Sequence, residues 1–451
     1  VRQRCGRPSG QATSARSGQL DNTLIFYILG DNGTSAEGGM EGMFSEMTYF
    51  NGVQETVADM LAHYDEWGGP TTYPHMAAGW AVAGNTPFTW TKQVASNYGG
   101  TRNGMIVSWP KRMRSINQVR TQWHHVIDIA PTVLEAAKLP EPIFVNGTKQ
   151  EPIEGVSFLY SFENPDQKST RTTQYFEIMA NRGVYHDGWF AGTIHKAPWD
   201  RQPKVSLAND VWELYDTRND FSLANNIAGA NPEKLKEMQD LFMQEAIRNR
   251  VLPIDDRFME RMIPSEVGRP DVMGDRTSLT LSTGMVGMPE SVFINIKNRS
   301  FSITADVDVP QGGADGVILA QAGRFGGWSL YVRGGKPTFC YNFLGLETST
   351  IAADTALPPG RSTIRMNFDY DGGGIGKGGT ASILVNNKAA GSGRIPRTQG
   401  MIFSADETAG VGIDDATPVT SDYKERENGF TGTIYKVVVD VKPIGAATKA
   451  Q

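Results

Sequence analysis

The chain has 451 residues, and its 49 Asp and Glu residues outnumber its 43 Lys and Arg residues, giving a formal net charge of −6. This length is enough for two or three domains, and the absence of a long Lys/Arg stripe argues against nucleic acid as a partner. The longest apolar run, TLIFYIL at 23–29, is far shorter than the roughly 20 residues that a membrane span requires, so no span is expected.

The first segment and the two cysteines give little information about compartment. Residues 1–18 contain four Arg, no acidic residue and no apolar segment, so we interpret them as a disordered or artefactual leader rather than a signal peptide. Cys5 and Cys340 are too far apart in the sequence to indicate a disulfide framework or a thiolate metal site.

The first predicted element is a strand that ends at a pair of oxygen-bearing side chains. The apolar run at 23–29 is typical of a buried parallel strand, and Asp31, Asn32 and Gly33 follow it. Ligands bind at the carboxyl ends of strands in open α/β sheets, and carboxylate and carboxamide oxygens suit a hard divalent cation. A hairpin turn at Asn-Gly is the alternative, although TSAEGGMEG does not alternate as a returning strand would.

The following elements predict a βαβ unit and then another helix. Residues 55–68 have helical spacing, with Val57, Met60, Leu61 and Tyr64 on one face, and GMIVSW at 104–109 is typical of a second buried strand. Residues 123–138 are predicted to be helical, with Pro131 at or near a first turn.

From residue 171 onwards the pattern changes to short strands and one long helix. YFEIM, GVYHDGWFAGTIH and VWELYD predict an antiparallel sheet, and residues 232–249 predict the helix that packs on it. Residues 291–443 are nearly all β, with strict alternation in FSITADVDV and TIRMNFDY and turns at glycine clusters. This pattern indicates a two-sheet sandwich of jelly-roll or concanavalin-like type.

Four segments in order resemble a known family. LGDNG, GGTRNGMIVSWP, HVIDIAPTVLEAAKL and VWELYDTRNDFSLANNIA are similar to the carboxyl-terminal half of bacterial-type arylsulfatases of the alkaline-phosphatase superfamily. The resemblance covers about residues 19–260. It implies hydrolysis of sulfate monoesters of small molecules or glycans by a formylglycine nucleophile. It also implies one divalent metal ion, usually Ca²⁺ with Mg²⁺ as the alternative.

The resemblance also implies roles for individual residues. Asp31 and Asn32 match the second pair of metal ligands, and Lys92 matches a lysine that touches the sulfate and stabilises charge on it. Asn32 stands where phosphatases and phosphodiesterases of the superfamily have histidine, because a second zinc ion needs imidazole. The residue therefore favours a sulfatase over the alternative of a phosphate-ester hydrolase.

Other polar residues are weaker candidates. Arg102 and Asn103 are expected to line the mouth of the site, with Arg102 binding substrate, and His75 is a candidate that approaches the substrate from a glycine- and aromatic-rich loop.

The remaining histidines divide between two interpretations. His124, His125 and Asp128 suit either a metal pair or local capping of a helix, and the resemblance implies that this segment is structural. His186 and His195 are interpreted as exposed strand residues.

The nucleophile that the resemblance requires is missing from this sequence. Cys5 lies in CGRPSG and Cys340 in FCYNFLG, and neither fits C/S-x-P-S-R or C/S-x-A-x-R. We therefore expect the chain to be a carboxyl-terminal portion that exposes an apolar sheet edge and is inactive by itself.

The predicted fold class is α/β, with a truncated alkaline-phosphatase-like parallel sheet, a small antiparallel α+β subdomain and an all-β sandwich. An alternative function is that of a non-catalytic glycan-binding fragment, in which Trp328, Tyr331 and Tyr341 of the sandwich stack on sugar rings or simply pack in its core. The predicted segments are the leader at 1–18, the α/β core at 19–165, the subdomain at 166–260, a linker at 261–290 and the sandwich at 291–443.

Overall fold

A computed structural model describes residues 18–443, except 31, 114–116, 201, 258 and 263, and omits the side chains of 259, 262, 264 and 265. The chain divides into two compact units. Unit 1 contains the chain up to residue 40 and residues 76–258, and unit 2 contains residues 41–75 and 259–451.

The α-helices in the described residues are short, except for one of 17 residues. In chain order they are α1 Glu46–Phe50, α2 Val57–Ala62, α3 Ala78–Gly84, α4 Tyr98–Thr101, α5 Ile129–Ala137, α6 Tyr160–Glu163, α7 Pro232–Arg248 and α8 Pro264–Val267. Single turns of 3₁₀ helix span Leu20–Asn22, Tyr64–Glu66, Val126–Asp128, Leu207–Asn209, Ala228–Ala230, Met259–Met262 and Glu290–Val292.

The strands of unit 1 form small sheets, and those of unit 2 form two larger ones. Unit 1 contains β1 Ile25–Leu29, β2 Gly104–Ser108, β3 Phe144–Val145, β4 Thr148–Lys149, β5 Thr173–Ile178, β6 Asn181–His186, β7 Trp189–Thr193 and β8 Trp212–Asp216. Unit 2 contains β9 Ser278–Leu281, β10 Phe301–Val309, β11 Gly316–Gly323, β12 Gly326–Arg333, β13 Lys336–Phe343, β14 Glu347–Ala352, β15 Gly360–Tyr370, β16 Lys377–Val385, β17 Lys388–Arg397, β18 Ala409–Val411 and β19 Thr433–Val441.

The sheet β5-β6-β7-β8 and helix α7 share the largest apolar cluster of unit 1. Met238, Phe242 and Ala246 recur at helical spacing along α7 and are buried with Val184 of β6 and Leu214 of β8. The predicted antiparallel sheet packed by a long helix is therefore confirmed.

The mixed α/β class is confirmed, but the prediction of a parallel βαβ unit at β1 and β2 is wrong. These strands pair antiparallel, with Ile25 opposite Ser108 and Leu29 opposite Gly104. The side chains of Ile28 and Leu29 are also exposed rather than buried. The cause of the error is that an apolar run shows neither the direction of its partner nor the number of faces that the fold covers.

The predicted sandwich is confirmed as two antiparallel sheets on one core. The six-stranded sheet has the order β17-β16-β15-β10-β19-β9, and the five-stranded sheet has the order β14-β13-β12-β11-β18. Alternation along β10 buries Phe301, Ile303 and Val307 against Trp328 and Phe339 of the other sheet. The alternating pattern predicted this face because side chains of a strand point to opposite sides.

Residues 41–75 belong to unit 2, whereas the predicted boundaries placed them in the α/β core at 19–165. Met47 of α1 is fully buried in the core cluster of the sandwich, which explains the difference. The predicted apolar face at 55–68 is also wrong, because Met60 is buried but Leu61 and Tyr64 are more than half exposed. The other predicted boundaries stay predictions.

None of the helices in the described residues has the length and apolar character needed to cross a membrane.

One buried carboxyl group of unit 2 is expected to make stability depend on pH. Asp414 accepts hydrogen bonds from Val419 N at 3.0 Å and Tyr423 Oη at 2.7 Å, and burial raises its pKa to about 6. Because the pKa of Asp414 in the folded state exceeds the ordinary aspartate value of 3.8, the folded state binds the proton more tightly. Stability should therefore rise as pH falls from about 6 towards 3.8.

The expected gain is on the order of 2 kcal/mol relative to an Asp414→Asn variant, which lacks this titration. Denaturant unfolding of both proteins between pH 4 and pH 7.5 measures it. A constant difference in stability across this range would contradict the prediction.

Candidate functional site

The candidate site begins just beyond the carboxyl end of β1. Asp31 lies outside the described residues. Asn32 has an exposed side chain and a φ of 47°, in the left-handed region that asparagine tolerates better than most residues. Gly33 follows with a φ of 91°, so the chain turns sharply directly after the predicted metal ligands.

The turn at Gly33 lies tightly against the segment that carries Lys92. A Cβ placed on Gly33 would lie 2.0 Å from the carbonyl oxygen of Gly99 and 2.6 Å from the backbone nitrogen of Lys92. The backbone N–H of Lys92 donates a hydrogen bond to the carbonyl oxygen of Thr34, at 3.2 Å. The structure therefore brings Lys92 beside the end of β1, although almost 60 residues separate the two in sequence.

Asn85 connects the two segments through its carboxamide. Its Oδ1 accepts from the backbone nitrogen of Thr34 at 3.0 Å and from Thr34 Oγ1 at 2.7 Å. Its Nδ2 donates to the carbonyl oxygens of Trp90 at 2.9 Å and Gly99 at 3.1 Å. Since both ends of the carboxamide are used, Asn85 fixes the loop around Lys92 to the strand end.

The residues on each side of Lys92 have strained backbones. Trp90 has a φ of 67° and Gln93 a φ of 73°, both in the region that side chains with a Cβ rarely adopt. Asn181 Nδ2 of β6 donates to the carbonyl oxygen of Gln93 at 2.9 Å. The fold thus holds the short segment carrying Lys92 in a fixed, unfavourable conformation, which is common at functional sites.

The amine of Lys92 is paired with Glu37, a residue that the sequence analysis did not select. Lys92 Nζ lies 2.9 Å from Glu37 Oε2, and about a third of each side chain is exposed. Burial alone would raise the pKa of Glu37, but hydrogen bonds from Lys92, Ser35 and Gln93 and the charge of Lys92 lower it below its usual value. The carboxylate therefore remains charged at neutral pH beside the amine.

Arg102 and His75, two further candidates, already have partners within the protein. The guanidinium carbon of Arg102 lies 4.0 Å from the centroid of the Phe221 ring, and its Nη1 donates to the carbonyl oxygen of Phe221 at 3.1 Å. Asn103 lies beside Gly30, at the end of β1. His75 belongs to unit 2, where its Nε2 lies 2.5 Å from Glu46 Oε2. Substrate contacts of Arg102 and His75 stay predictions.

The segment around His124, His125 and Asp128 is structural, as the resemblance implied. Asp128 is fully buried and accepts from Arg171 Nε at 2.8 Å, from His125 N at 2.8 Å and from Val156 N at 2.7 Å. Burial is the main cause of lowered pKa values for both histidines. Asp128 thus connects the segments that contain His125, Val156 and Arg171.

The prediction that His195 is an exposed strand residue is wrong. His195 follows β7 and is almost fully buried, with Nδ1 2.9 Å from Asp210 Oδ1 and Nε2 3.3 Å from Asp256 Oδ2. Asp210 also accepts from Arg182 Nη1 at 2.7 Å. These partners come from distant parts of the chain, which the local strand pattern could not reveal. His186 is partly exposed, and its Nδ1 lies 2.8 Å from Thr173 Oγ1.

The sandwich residues proposed for sugar stacking are core residues. Trp328, Tyr331 and Tyr341 are each less than 5% exposed, so their ring faces are not available to a ligand. A surface cavity of about 350 Å³ lies nearby, lined in part by Tyr423 and by the ion pair of Arg333 and Asp422.

Cys340 is poorly suited to act as a nucleophile. Burial raises the pKa of the Cys340 thiol to about 11, which leaves little of the reactive thiolate at neutral pH. Cys5 lies outside the described residues.

The described residues do not form a metal site by themselves. No group of three or more His, Cys, Asp or Glu side chains suited to a metal ion occurs within the described ranges. Asn32 supplies one carboxamide oxygen, which is suitable chemistry for a hard cation, but calcium binds six to eight oxygens in proteins. The described residues therefore do not complete a calcium site by themselves.

Comparisons with known proteins found similarity to sulfatases. The sequence profile described as Sulfatase matches residues 13–139. An uncharacterized sulfatase of Schizosaccharomyces pombe is 25% identical over 253 residues, which cover 54% of this chain and 41% of that protein. The chain thus spans less than half of the length of this curated relative.

Similar solved structures overlap only partly. One, from a study of glycosaminoglycan metabolism by Bacteroides thetaiotaomicron, is 19% identical, covers 52% of this chain and 41% of its own, and has a TM-score of 0.32. Another, the CBM40 of the Ruminococcus gnavus IT-sialidase bound to α2,3 sialyllactose, is 11% identical, covers 38% and 93%, and has a TM-score of 0.26. The similarity to sulfatases therefore rests on the two sequence matches, the family profile over residues 13–139 and the relative from Schizosaccharomyces pombe.

Proposed function

We propose that the strand-end site of unit 1 belongs to an enzyme that hydrolyses sulfate monoesters, of the arylsulfatase type. The observation that carries this proposal is the contact between two segments that are distant in sequence. The backbone N–H of Lys92 donates a hydrogen bond to the carbonyl oxygen of Thr34, two residues after Asn32. A lysine whose backbone contacts the turn that follows a predicted cation site suits an anionic ester group. The match of residues 13–139 to the sulfatase profile supports the reaction at the level of the family.

Lys92 is the group that would bind the ester oxygens. One of its three N–H donors points to Glu37 Oε2, and an ammonium group can direct its other donors to an anion. The ion pair with Glu37 positions the amine, and the backbone on each side positions the residue that carries it, so little reorganisation accompanies binding. A fixed positive charge stabilises the negative charge that grows on the sulfate oxygens and on the leaving group.

Asp31 and Asn32 are proposed as two ligands of a divalent cation, Ca²⁺ or alternatively Mg²⁺. A bound cation supplies Lewis-acid polarisation of the ester. The protein groups in this chain contribute oxygen ligands at the strand end, and the turn at Gly33 sets the direction in which the chain leaves them. Arg102 and His75 remain proposed as secondary substrate contacts.

Sulfate esters are favoured over phosphate esters because of Asn32. A two-zinc phosphatase site needs imidazole or carboxylate ligands, whereas a carboxamide oxygen is a ligand for a hard cation. The proposed substrates are aryl or glycan sulfate monoesters.

The test compares p-nitrophenyl sulfate with p-nitrophenyl phosphate, with Ca²⁺ and after chelation, in the product of the complete gene. We expect turnover of the sulfate ester that requires the cation. Replacing Lys92 by alanine should lower kcat/KM roughly 100- to 1000-fold, the range found when one fixed charge-stabilising donor is removed.

The matched control is Lys149→Ala, which removes an exposed lysine of the same unit and should leave kcat/KM unchanged. Turnover of the phosphate ester with zinc, or an unchanged rate in Lys92→Ala, would overturn the proposal.

A further inference from the structure

Glu37 places a negative charge directly against the amine proposed to bind the ester. Its Oε2 accepts from Lys92 Nζ at 2.9 Å and from Ser35 Oγ at 2.7 Å, and its Oε1 accepts from Gln93 Nε2 at 2.5 Å. Both carboxylate oxygens thus accept hydrogen bonds, and two of the three donors belong to residues other than Lys92. The side chain is fixed in this position and cannot turn away from the amine when an anion binds.

The pair formed by Lys92 and Glu37 carries no net charge. The lowered pKa of Glu37 keeps the carboxylate ionised at neutral pH, so the positive charge of Lys92 is balanced before any ligand arrives. A ligand anion that accepts from the opposite side of the amine meets one attractive charge at about 3 Å and one repulsive charge at about 6 Å.

This arrangement affects monoanions and dianions differently. A sulfate monoester carries one negative charge, whereas a phosphate monoester above its second pKa near 6 carries almost two. An additional unit charge at about 6 Å from a carboxylate lowers affinity roughly tenfold if the effective dielectric constant is about 40. Lys92 attracts the second charge of the phosphate ester, but Glu37 repels it, and this repulsion cancels much of the attraction.

We propose that Glu37 is a specificity-determining residue that disfavours dianionic phosphate monoesters relative to monoanionic sulfate monoesters at the Lys92 site. This inference rests on the proposed function, since it assumes that Lys92 binds the ester. Glu37 acts through charge and does not take part in bond making or breaking.

The test measures the affinities of the 451-residue chain for p-nitrophenyl sulfate and p-nitrophenyl phosphate at pH 7.5 by titration calorimetry. Replacing Glu37 by glutamine keeps the size of the side chain and removes its charge. We expect the ratio of the phosphate-ester affinity to the sulfate-ester affinity to increase roughly tenfold in Glu37→Gln. The control Glu135→Gln, which neutralises an exposed glutamate on α5, should leave the ratio unchanged.

A second measurement follows the pH dependence of binding in wild type and in Glu37→Gln. Between pH 7.5 and pH 5 the phosphate ester becomes a monoanion, and Glu37 with its lowered pKa stays charged. Because Lys92 lies nearer to the ester than Glu37, loss of the second phosphate charge should lower the phosphate-ester affinity in both proteins, but several-fold more in Glu37→Gln than in wild type, while the sulfate-ester affinity stays constant in each. A purely structural role of Glu37 would not produce this difference.

The outcomes separate the two proposals. If the chain binds the sulfate ester and Lys92→Ala weakens that binding, but the ratio is the same in wild type and Glu37→Gln, the role of Glu37 is refuted and the proposed function survives. If the chain binds neither ester, or if Lys92→Ala binds both as well as wild type, the site itself is refuted and the inference with it.

Discussion

Replacing Asp128 by alanine is expected to lower the free energy of unfolding of unit 1 by about 3–5 kcal/mol, the cost of removing one partner from a buried ion pair. Asp128 is fully buried, and Arg171, its partner, is 7% exposed. The variant leaves the guanidinium without its carboxylate in an environment that solvates charge poorly. It also leaves the backbone N–H groups of His125 and Val156 without the acceptor that they have in the wild type.

Denaturant unfolding monitored by circular dichroism measures this loss. The control Asp166→Ala removes an exposed aspartate of the same unit and should change stability by less than about 0.5 kcal/mol. In the double variant Asp128→Ala/Arg171→Ala the total loss should be clearly smaller than the sum of the two single losses, because the pair is coupled. Additive losses, or a stability of Asp128→Ala that depends on added metal, would show that Asp128 has another role.

The sequence pattern predicted elements well where one face of a strand or helix is buried. Phe301, Ile303 and Val307 alternate along β10 as expected, and Met238 and Phe242 recur along α7 at helical spacing. In both cases the periodicity follows from the same geometry that sends side chains to one side of the element. These patterns are local, so they can be recognised without knowledge of the rest of the chain.

Packing between distant segments was not predictable in this way. The apolar run of β1 gave the strand but not its antiparallel partner, and the spacing of Leu61 and Tyr64 suggested a buried face that the fold leaves exposed. Residues 41–75 look like a continuation of the α/β region, yet Met47 is buried in the core of the sandwich. The direction of a strand, the strand with which it pairs and the unit to which a segment belongs all depend on long-range contacts, which a local sequence pattern does not encode.

The residues of the candidate site were likewise predictable only in part. Asn32 was selected from its position at a strand end and Lys92 through the resemblance, and the structure brings their segments together at Gly33 and Thr34. Glu37 was missed because a glutamate in a glycine-rich loop is usually a solvated surface residue. A possible signal was its position only four residues after Gly33, inside TSAEGG, where the loop has few other charged side chains. The left-handed backbone at Trp90 gave no signal, since that conformation normally requires glycine or asparagine.

Replacing Gly33 by alanine is expected to destabilise unit 1 by several kcal/mol and to abolish binding of sulfate esters. The new Cβ would lie 2.0 Å from the carbonyl oxygen of Gly99 and 2.6 Å from the backbone nitrogen of Lys92, so backbone atoms must move. The φ of 91° adds a penalty of about 1–2 kcal/mol for any residue with a Cβ, and overpacking typically adds about 1–3 kcal/mol.

Gly39→Ala separates the two contributions to this loss. Gly39 also has a positive φ, of 69°, but a Cβ there would have no heavy atom within 4 Å. This control should therefore lose only the backbone penalty of about 1–2 kcal/mol and keep its affinity for p-nitrophenyl sulfate. Thermal unfolding and ester titration of both variants measure the difference. Equal effects of the two substitutions would mean that the contact at Gly33 does not hold Lys92 at the strand end, and the proposed site would lose its geometric basis.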